Sequence, residues 1–132
     1  LNKSDFSELM TNYSEEDSVN PINKYATSKL GGECAVRMYD NSLILRIIMC
    51  EKPFVHKSAF YDIKTNFIFQ EDVAKMIPRL LNKKGIINIG GKSQSVYNFA
   101  KKYNNKIKKI SGKKIFPPSP SMNLTKLKKI LN

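Results

Sequence analysis

Two short apolar runs constrain this chain more than any other feature. Leu43-Ile44-Leu45-Arg46-Ile47-Ile48-Met49 and Gly85-Ile86-Ile87-Asn88-Ile89 are both of strand length and rich in aliphatic residues. Near-continuous apolar runs of this kind suit strands covered on both faces, as in a largely parallel sheet. Helical patterns alternate with them, over residues 21–39, 70–82, 95–103 and 124–131, and shorter extended segments fall at 65–69 and 106–110. Strands alternating with helices predict an α/β layer structure with at least some parallel pairing. The chain has 132 residues, enough for one domain with one modest core. Neither an internal repeat nor a linker marks a boundary, so residues 1–132 are expected to form a single domain.

The helix at 21–39 follows an acidic run, Glu15-Glu16-Asp17, and a turn signal, Asn20-Pro21. Acidic residues near a helix N-terminus complement its dipole, and proline suits the first helical position. Inside this helix Gly31-Gly32 costs about 1 kcal/mol per glycine relative to alanine. A cost of that size predicts close packing against a neighbouring backbone.

The formal net charge is +12. Taken alone, it suggests a polyanionic partner. Of the 23 basic residues, however, only Arg37, Arg46 and Arg79 are arginine, the side chain that best matches phosphate and base edges. A solvated lysine-rich surface is the expected reading, with no nucleic acid and no membrane as partner. Residues 1–20 lack the apolar stretch of a signal peptide, and the run 43–50 is too short to span a bilayer and is broken by Arg46. A cytoplasmic protein is the default. Cys34 and Cys50 are expected to be free, buried thiols, and with His56 as the only histidine they make no persuasive metal site.

The residues that carry chemistry are Tyr25 and Lys29. Positions i and i+4 lie on one helix face. An ammonium beside a phenol favours the phenolate. A tyrosine so placed donates a proton to a carbonyl oxygen, or removes one from an alcohol. The spacing itself is weak evidence. With six tyrosines and 20 lysines in 132 residues, chance supplies about one such pair, and Tyr97 with Lys101 is a second. Tyr97 fits an amphipathic helix face with Phe99 and Ala100.

The surroundings separate the two pairs. Asn20-Pro21-Ile22-Asn23-Lys24-Tyr25-Ala26-Thr27-Ser28-Lys29-Leu30-Gly31-Gly32-Glu33 resembles the active-site helix of the extended short-chain dehydrogenase/reductase family. It has an acidic loop, Pro four residues before Tyr, Ser before Lys and Glu four after Lys. The likeness continues through the Arg46 strand, Phe67-Ile68-Phe69-Gln70-Glu71-Asp72-Val73-Ala74, and Gly85-Ile86-Ile87-Asn88-Ile89-Gly90-Gly91. At Pro120-Ser121-Met122-Asn123-Leu124 it is similar to the dTDP-4-dehydrorhamnose reductase-like branch. It spans roughly residues 13–131.

The resemblance implies a partial Rossmann-like layer structure with parallel strands, its N-terminal coenzyme-binding half absent. No Gly-rich phosphate-binding turn occurs in the sequence. The parent would be an NAD(P)-dependent reductase of a nucleotide-linked 4-keto sugar, using NAD or NADP. This chain alone is expected to bind neither coenzyme tightly and to be inactive. Tyr25 and Lys29 would be catalytic, with Ser4 standing three positions from where the family's hydroxyl residue falls. Tyr25, Lys29, Met49 and Cys50 would face the coenzyme. Phe54, His56, Asp72, Ser121 and Asn123 would face the sugar. Plainer roles remain open: His56 as an exposed loop residue, Asp72 and Asn123 as helix caps. Bared strand edges predict a homodimer. The alternatives are a non-catalytic sugar-nucleotide-binding domain, or a basic nucleic-acid-binding domain.

Overall fold

The computed structural model describes residues 12–116 and 119–132. In chain order its elements are α1 (Lys24–Arg37), β1 (Leu43–Ile47), β2 (Met49–Cys50), β3 (Ser58–Phe60), β4 (Lys64–Thr65), β5 (Ile68–Phe69), α2 (Gln70–Met76), a 3₁₀ turn (Ile77–Arg79), β6 (Gly85–Ile89), β7 (Gln94–Ser95), α3 (Val96–Lys101), β8 (Lys108–Ile110) and α4 (Thr125–Leu131). β1 pairs in parallel with β6, from Leu43 opposite Gly85 to Ile47 opposite Ile89. β2 with β5 and β3 with β8 are also parallel, while β4 and β7 are antiparallel. This is the α/β structure with parallel pairing that the alternation of strands and helices predicts, and the partial Rossmann-like form that the resemblance implies.

β1 alternates faces as a strand must. Leu43, Leu45 and Ile47 pack on a core of Ile68, Val73, Leu80, Ile87, Ile89 and Leu127. Ile44 and Arg46 line a groove together with Leu30 of α1. A second core joins Phe54, Ala59, Phe69, Val96, Phe99, Ala100 and Ile107. Leu80, Ile87 and Ile89 are fully buried. Burial of such side chains contributes roughly 1.5–3 kcal/mol each.

The cap, not the proline, sets where α1 begins. The Asn23 side chain accepts a hydrogen bond from the Ala26 N–H at 2.8 Å, so Pro21 lies ahead of the helix and not at its first position. α2 ends at Met76 because Pro78 has no N–H to continue the ladder, and the chain tightens into the 3₁₀ turn. β3 lies in a stretch that reads as irregular. Its three residues are too few for a pattern, and pairing with β8 makes it a strand.

Two expectations about α1 are corrected. No residue of the helix is buried. Ala26, Leu30 and Glu33 are half-buried and form one stripe at i, i+4 and i+7. A side chain added at Gly31 or Gly32 would meet nothing within 4 Å. The glycine pair therefore has no neighbouring backbone among the described residues. Cys34, on the outer side, is exposed and Cys50 is only partly buried, so neither is the core thiol expected. Gly90 and Gly91 do make close approaches: a Cβ on Gly91 would stand 2.5 Å from the Phe67 carbonyl oxygen.

Candidate active site

α1 presents Tyr25 and Lys29 one turn apart, with the Lys29 ammonium 5.5 Å from the centre of the Tyr25 ring. Tyr25 is 71% exposed. The same helix is fastened to the layers by charge. Glu33 receives two hydrogen bonds from Arg46 on β1, at 3.1 and 2.6 Å. Arg46 also donates to the Glu15 carbonyl at 3.3 Å. Only 21% of the arginine and 12% of the glutamate side chain are exposed. The Arg46 hydrogen bonds hold the Glu33 carboxyl below the ordinary glutamate range, and Glu33 in turn raises the pKa of Arg46. With no apolar residue buried, this pair is the strongest described tether of the helix that carries Tyr25.

The acidic loop is stitched to β6 in the same region. The Asn88 N–H donates to the Glu15 carboxylate at 2.9 Å. The Asn88 side-chain amide, 1% exposed, donates to the carbonyls of Tyr13 and Asn123. Asn66 repeats the device, donating to the Gly91 carbonyl at 3.0 Å and accepting from the Met122 N–H at 2.6 Å. These two buried amides fix residues 121–123 against the sheet. Neither was singled out from sequence. The available signal was an asparagine inside an apolar strand, which demands partners when buried.

A cavity of about 830 Å³ opens beyond β2, lined in part by Met49, Cys50, Phe54, His56, Phe60 and Phe116. It gathers four of the residues assigned to coenzyme or sugar: Met49, Cys50, Phe54 and His56. Burial raises the pKa of the Cys50 thiol. The Phe54 ring meets the His56 ring edge-on at 5.4 Å. Other assigned residues lie outside this cavity. Asp72 is half-exposed and pairs with Lys75 at 3.2 Å, making no cap bond to α2. Ser121 is buried, its hydroxyl 2.6 Å from that of Ser93. The Asn123 side chain accepts from the Thr125 N–H at the start of α4, one residue ahead of the cap position Leu124, which itself makes no side-chain cap bond. Neither Tyr25 nor Lys29 lines the cavity. Ser4 lies outside the described residues.

Tyr97 and Lys101 have almost the same geometry as the first pair, with the ammonium 5.7 Å from the ring centre. Here, however, the ring is half-buried and Lys109 also stands over it at 4.9 Å.

Tyr25, Lys29 and Met49 are exposed and would touch only one end of a nicotinamide coenzyme. Nothing in the sequence offers a Gly-rich seat for its pyrophosphate. The residues present therefore do not make a complete coenzyme site. No described helix is long and apolar enough to cross a membrane, and no metal-binding cluster occurs among the described residues.

Parallel strand pairs and the helices that alternate with them define a class: a partial Rossmann-like α/β unit. Solved structures make the likeness particular. A hypothetical dTDP-4-dehydrorhamnose reductase from Sulfolobus tokodaii superimposes with a TM-score of 0.75 at 29% identity, over 92% of this chain and 53% of that one. The dTDP-4-dehydrorhamnose reductase of Bacillus anthracis, solved in complex with NADP, gives 0.75 at 21% identity over 91% and 53%. That of Yersinia enterocolitica gives 0.70 at 21% over 89% and 53%. The chain has the fold of a part of these reductases and spans about half their length. No family model and no curated protein matches it.

Proposed function

We propose that the chain is the proton-donor and sugar-side part of an NAD(P)-dependent reductase acting on a nucleotide-linked 4-keto sugar. Tyr25 would give its phenolic proton to the ketone oxygen, and Lys29 would orient the coenzyme ribose. The coenzyme, when bound, supplies the hydride. Its pyrophosphate seat belongs to residues beyond these 132. The observation that carries the reading is the Tyr25–Lys29 pair, one turn apart, on a scaffold that superimposes on dTDP-4-dehydrorhamnose reductases. The aromatic cavity beside Phe54, Phe60 and Phe116 suits the nucleotide-sugar end of such a substrate. By this reading the protein is cytoplasmic, like the soluble sugar nucleotides it would use.

Calorimetric titration of the chain with dTDP-rhamnose and with NADPH tests the proposal. Heat from the sugar nucleotide, none from NADPH and no turnover with a dTDP-4-keto sugar are expected. Absence of sugar-nucleotide binding would refute the sugar-side assignment. Turnover by these 132 residues would refute the assignment of the coenzyme seat to another part. A non-catalytic sugar-nucleotide-binding module is the second reading, favoured by the aromatic cavity's lining, which includes neither Tyr25 nor Lys29. It predicts that Tyr25→Phe leaves turnover unchanged in any assembly that does turn over.

A further inference from the structure

All eleven acidic residues of the chain lie in its first 72 positions. Residues 73–132 contain 15 Lys and Arg and no Asp or Glu. The positive charge is therefore segregated, and it is densest at residues 101–114, where seven of fourteen residues are lysine. Every one of those lysines is exposed. None forms an ion pair among the described residues, where the two salt bridges are Arg46–Glu33 and Lys75–Asp72.

The fold displays this charge on an edge. β8 pairs only with β3 among the described residues, and Lys108, Lys109 and Ile110 are all exposed. Beyond β8 the chain turns sharply, with the N–H groups of Ile115 and Phe116 both donating to the Gly112 carbonyl at 2.9 Å. Gly112 is wedged against the layers, since a Cβ there would stand 2.6 Å from Ile63 and 2.9 Å from Phe60. That anchorage projects Lys113-Lys114-Ile115 outward, leaving Ile115 64% exposed. The neighbouring Asp62 accepts from the Gly112 N–H at 2.7 Å and from the Ser111 hydroxyl, and its single negative charge, felt by Lys113, offsets only part of the excess of seven lysines.

A lysine-rich edge tipped with bare aliphatic residues suits a bilayer better than a nucleic acid. Single-strand binders use free aromatic faces and arginine. Residues 101–116 contain no arginine, and three of the rings at this edge have partners within the chain. Tyr97 lies under Lys101 and Lys109, Tyr103 meets Phe69 edge-on at 4.8 Å, and Phe116 packs on Phe60 at 5.6 Å. Lysines attract an anionic lipid surface without needing bidentate geometry, and an exposed aliphatic tip enters the headgroup boundary. We propose that the edge formed by residues 101–116 docks on an anionic lipid bilayer, with Ile115 as its inserting residue. Ile110 and Phe116 also line the cavity beyond β2, so docking would bring the cavity's rim to the lipid surface.

Flotation with phosphatidylcholine vesicles, with and without phosphatidylserine, tests this. Partitioning should require the anionic lipid and weaken with added salt. It should fall about tenfold or more in Lys113→Glu/Lys114→Glu, and severalfold in Ile115→Asp, a site exposed enough to leave the fold intact. Tyr25→Phe should float like the parent chain, which separates this surface from the proposed active site. Equal partitioning with and without anionic lipid, no partitioning at all, or partitioning indifferent to Ile115→Asp would each overturn the proposal. So would retention on single-stranded DNA without vesicle binding.

Discussion

Replacing Gly31 and Gly32 by alanine should stabilise the chain, and the structure sets the magnitude. Mid-helix glycine is about 1 kcal/mol less favourable than alanine, because it loses more backbone freedom on folding. That gain is realised only if the new methyl group meets no obstacle. At both positions nothing lies within 4 Å of the added Cβ. The double variant should therefore gain about 2 kcal/mol, a rise in Tm of about 6 °C for a domain of this size. Gly91→Ala is the control. Its Cβ would fall 2.5 Å from the Phe67 carbonyl oxygen, a backbone contact that cannot yield cheaply, so this variant should lose stability. Thermal unfolding followed by circular dichroism, over a range of protein concentrations, reads both. Destabilisation at Gly31 and Gly32 would mean that the outer face of α1 is covered in solution, and the description of α1 as an open helix would be wrong. If that loss appeared only at high concentration, the cover would be a second copy of the chain, as the expected homodimer requires.

Glu33→Gln should destabilise the chain by roughly 2 kcal/mol, since it leaves a half-buried guanidinium without its anion. Urea titration should show the difference most clearly at neutral pH. The Glu33 carboxyl titrates below its ordinary value of 4.5 in the folded chain. Its contribution is therefore present above the unfolded value and is lost as the pH falls through the lower folded one. Parent and variant should converge in acid, and a gap independent of pH would contradict the ion-pair account. Asn88→Ala removes the donor shared by the Tyr13 and Asn123 carbonyls in a nearly sealed site. A loss of about 2–4 kcal/mol is expected. Faster amide hydrogen exchange at residues 121–123 should accompany it, and unchanged exchange there would remove Asn88 from its role as a hub.

The fold was legible where one element carries a long pattern. β6 falls on the residues expected of it, and β1 begins where expected, because apolar aliphatic runs of that length have few alternatives to a buried strand. Short pairings were not legible. β3 is held by its partner β8, and a partner some 50 residues away leaves no local mark. The glycine pair shows the other failure. Propensity prices the pair but does not say which side of a helix is covered. The cysteines failed for the same reason, since Cys34 sits on the outer side of α1. In the candidate site, the cluster of Met49, Cys50, Phe54 and His56 was legible because the four residues are close in sequence. The amide hubs Asn66 and Asn88 were not, because their partners come from three separate stretches of chain.

The two Tyr–Lys pairs show where the chemical argument rests. Their ammonium-to-ring distances, 5.5 and 5.7 Å, are the same in effect, since i, i+4 geometry sets both. Distance thus assigns neither pair to catalysis. What differs is access. A second ammonium stands over the ring of Tyr97, which is half-buried beside β8. Tyr25 is exposed, on a helix tied to the sheet by the Arg46–Glu33 pair. A proton donor needs a fixed backbone and an unencumbered hydroxyl. Under the proposed function the first pair supplies both, on a helix where no described residue outside it comes within 4 Å of a Cβ added at Gly31 or Gly32.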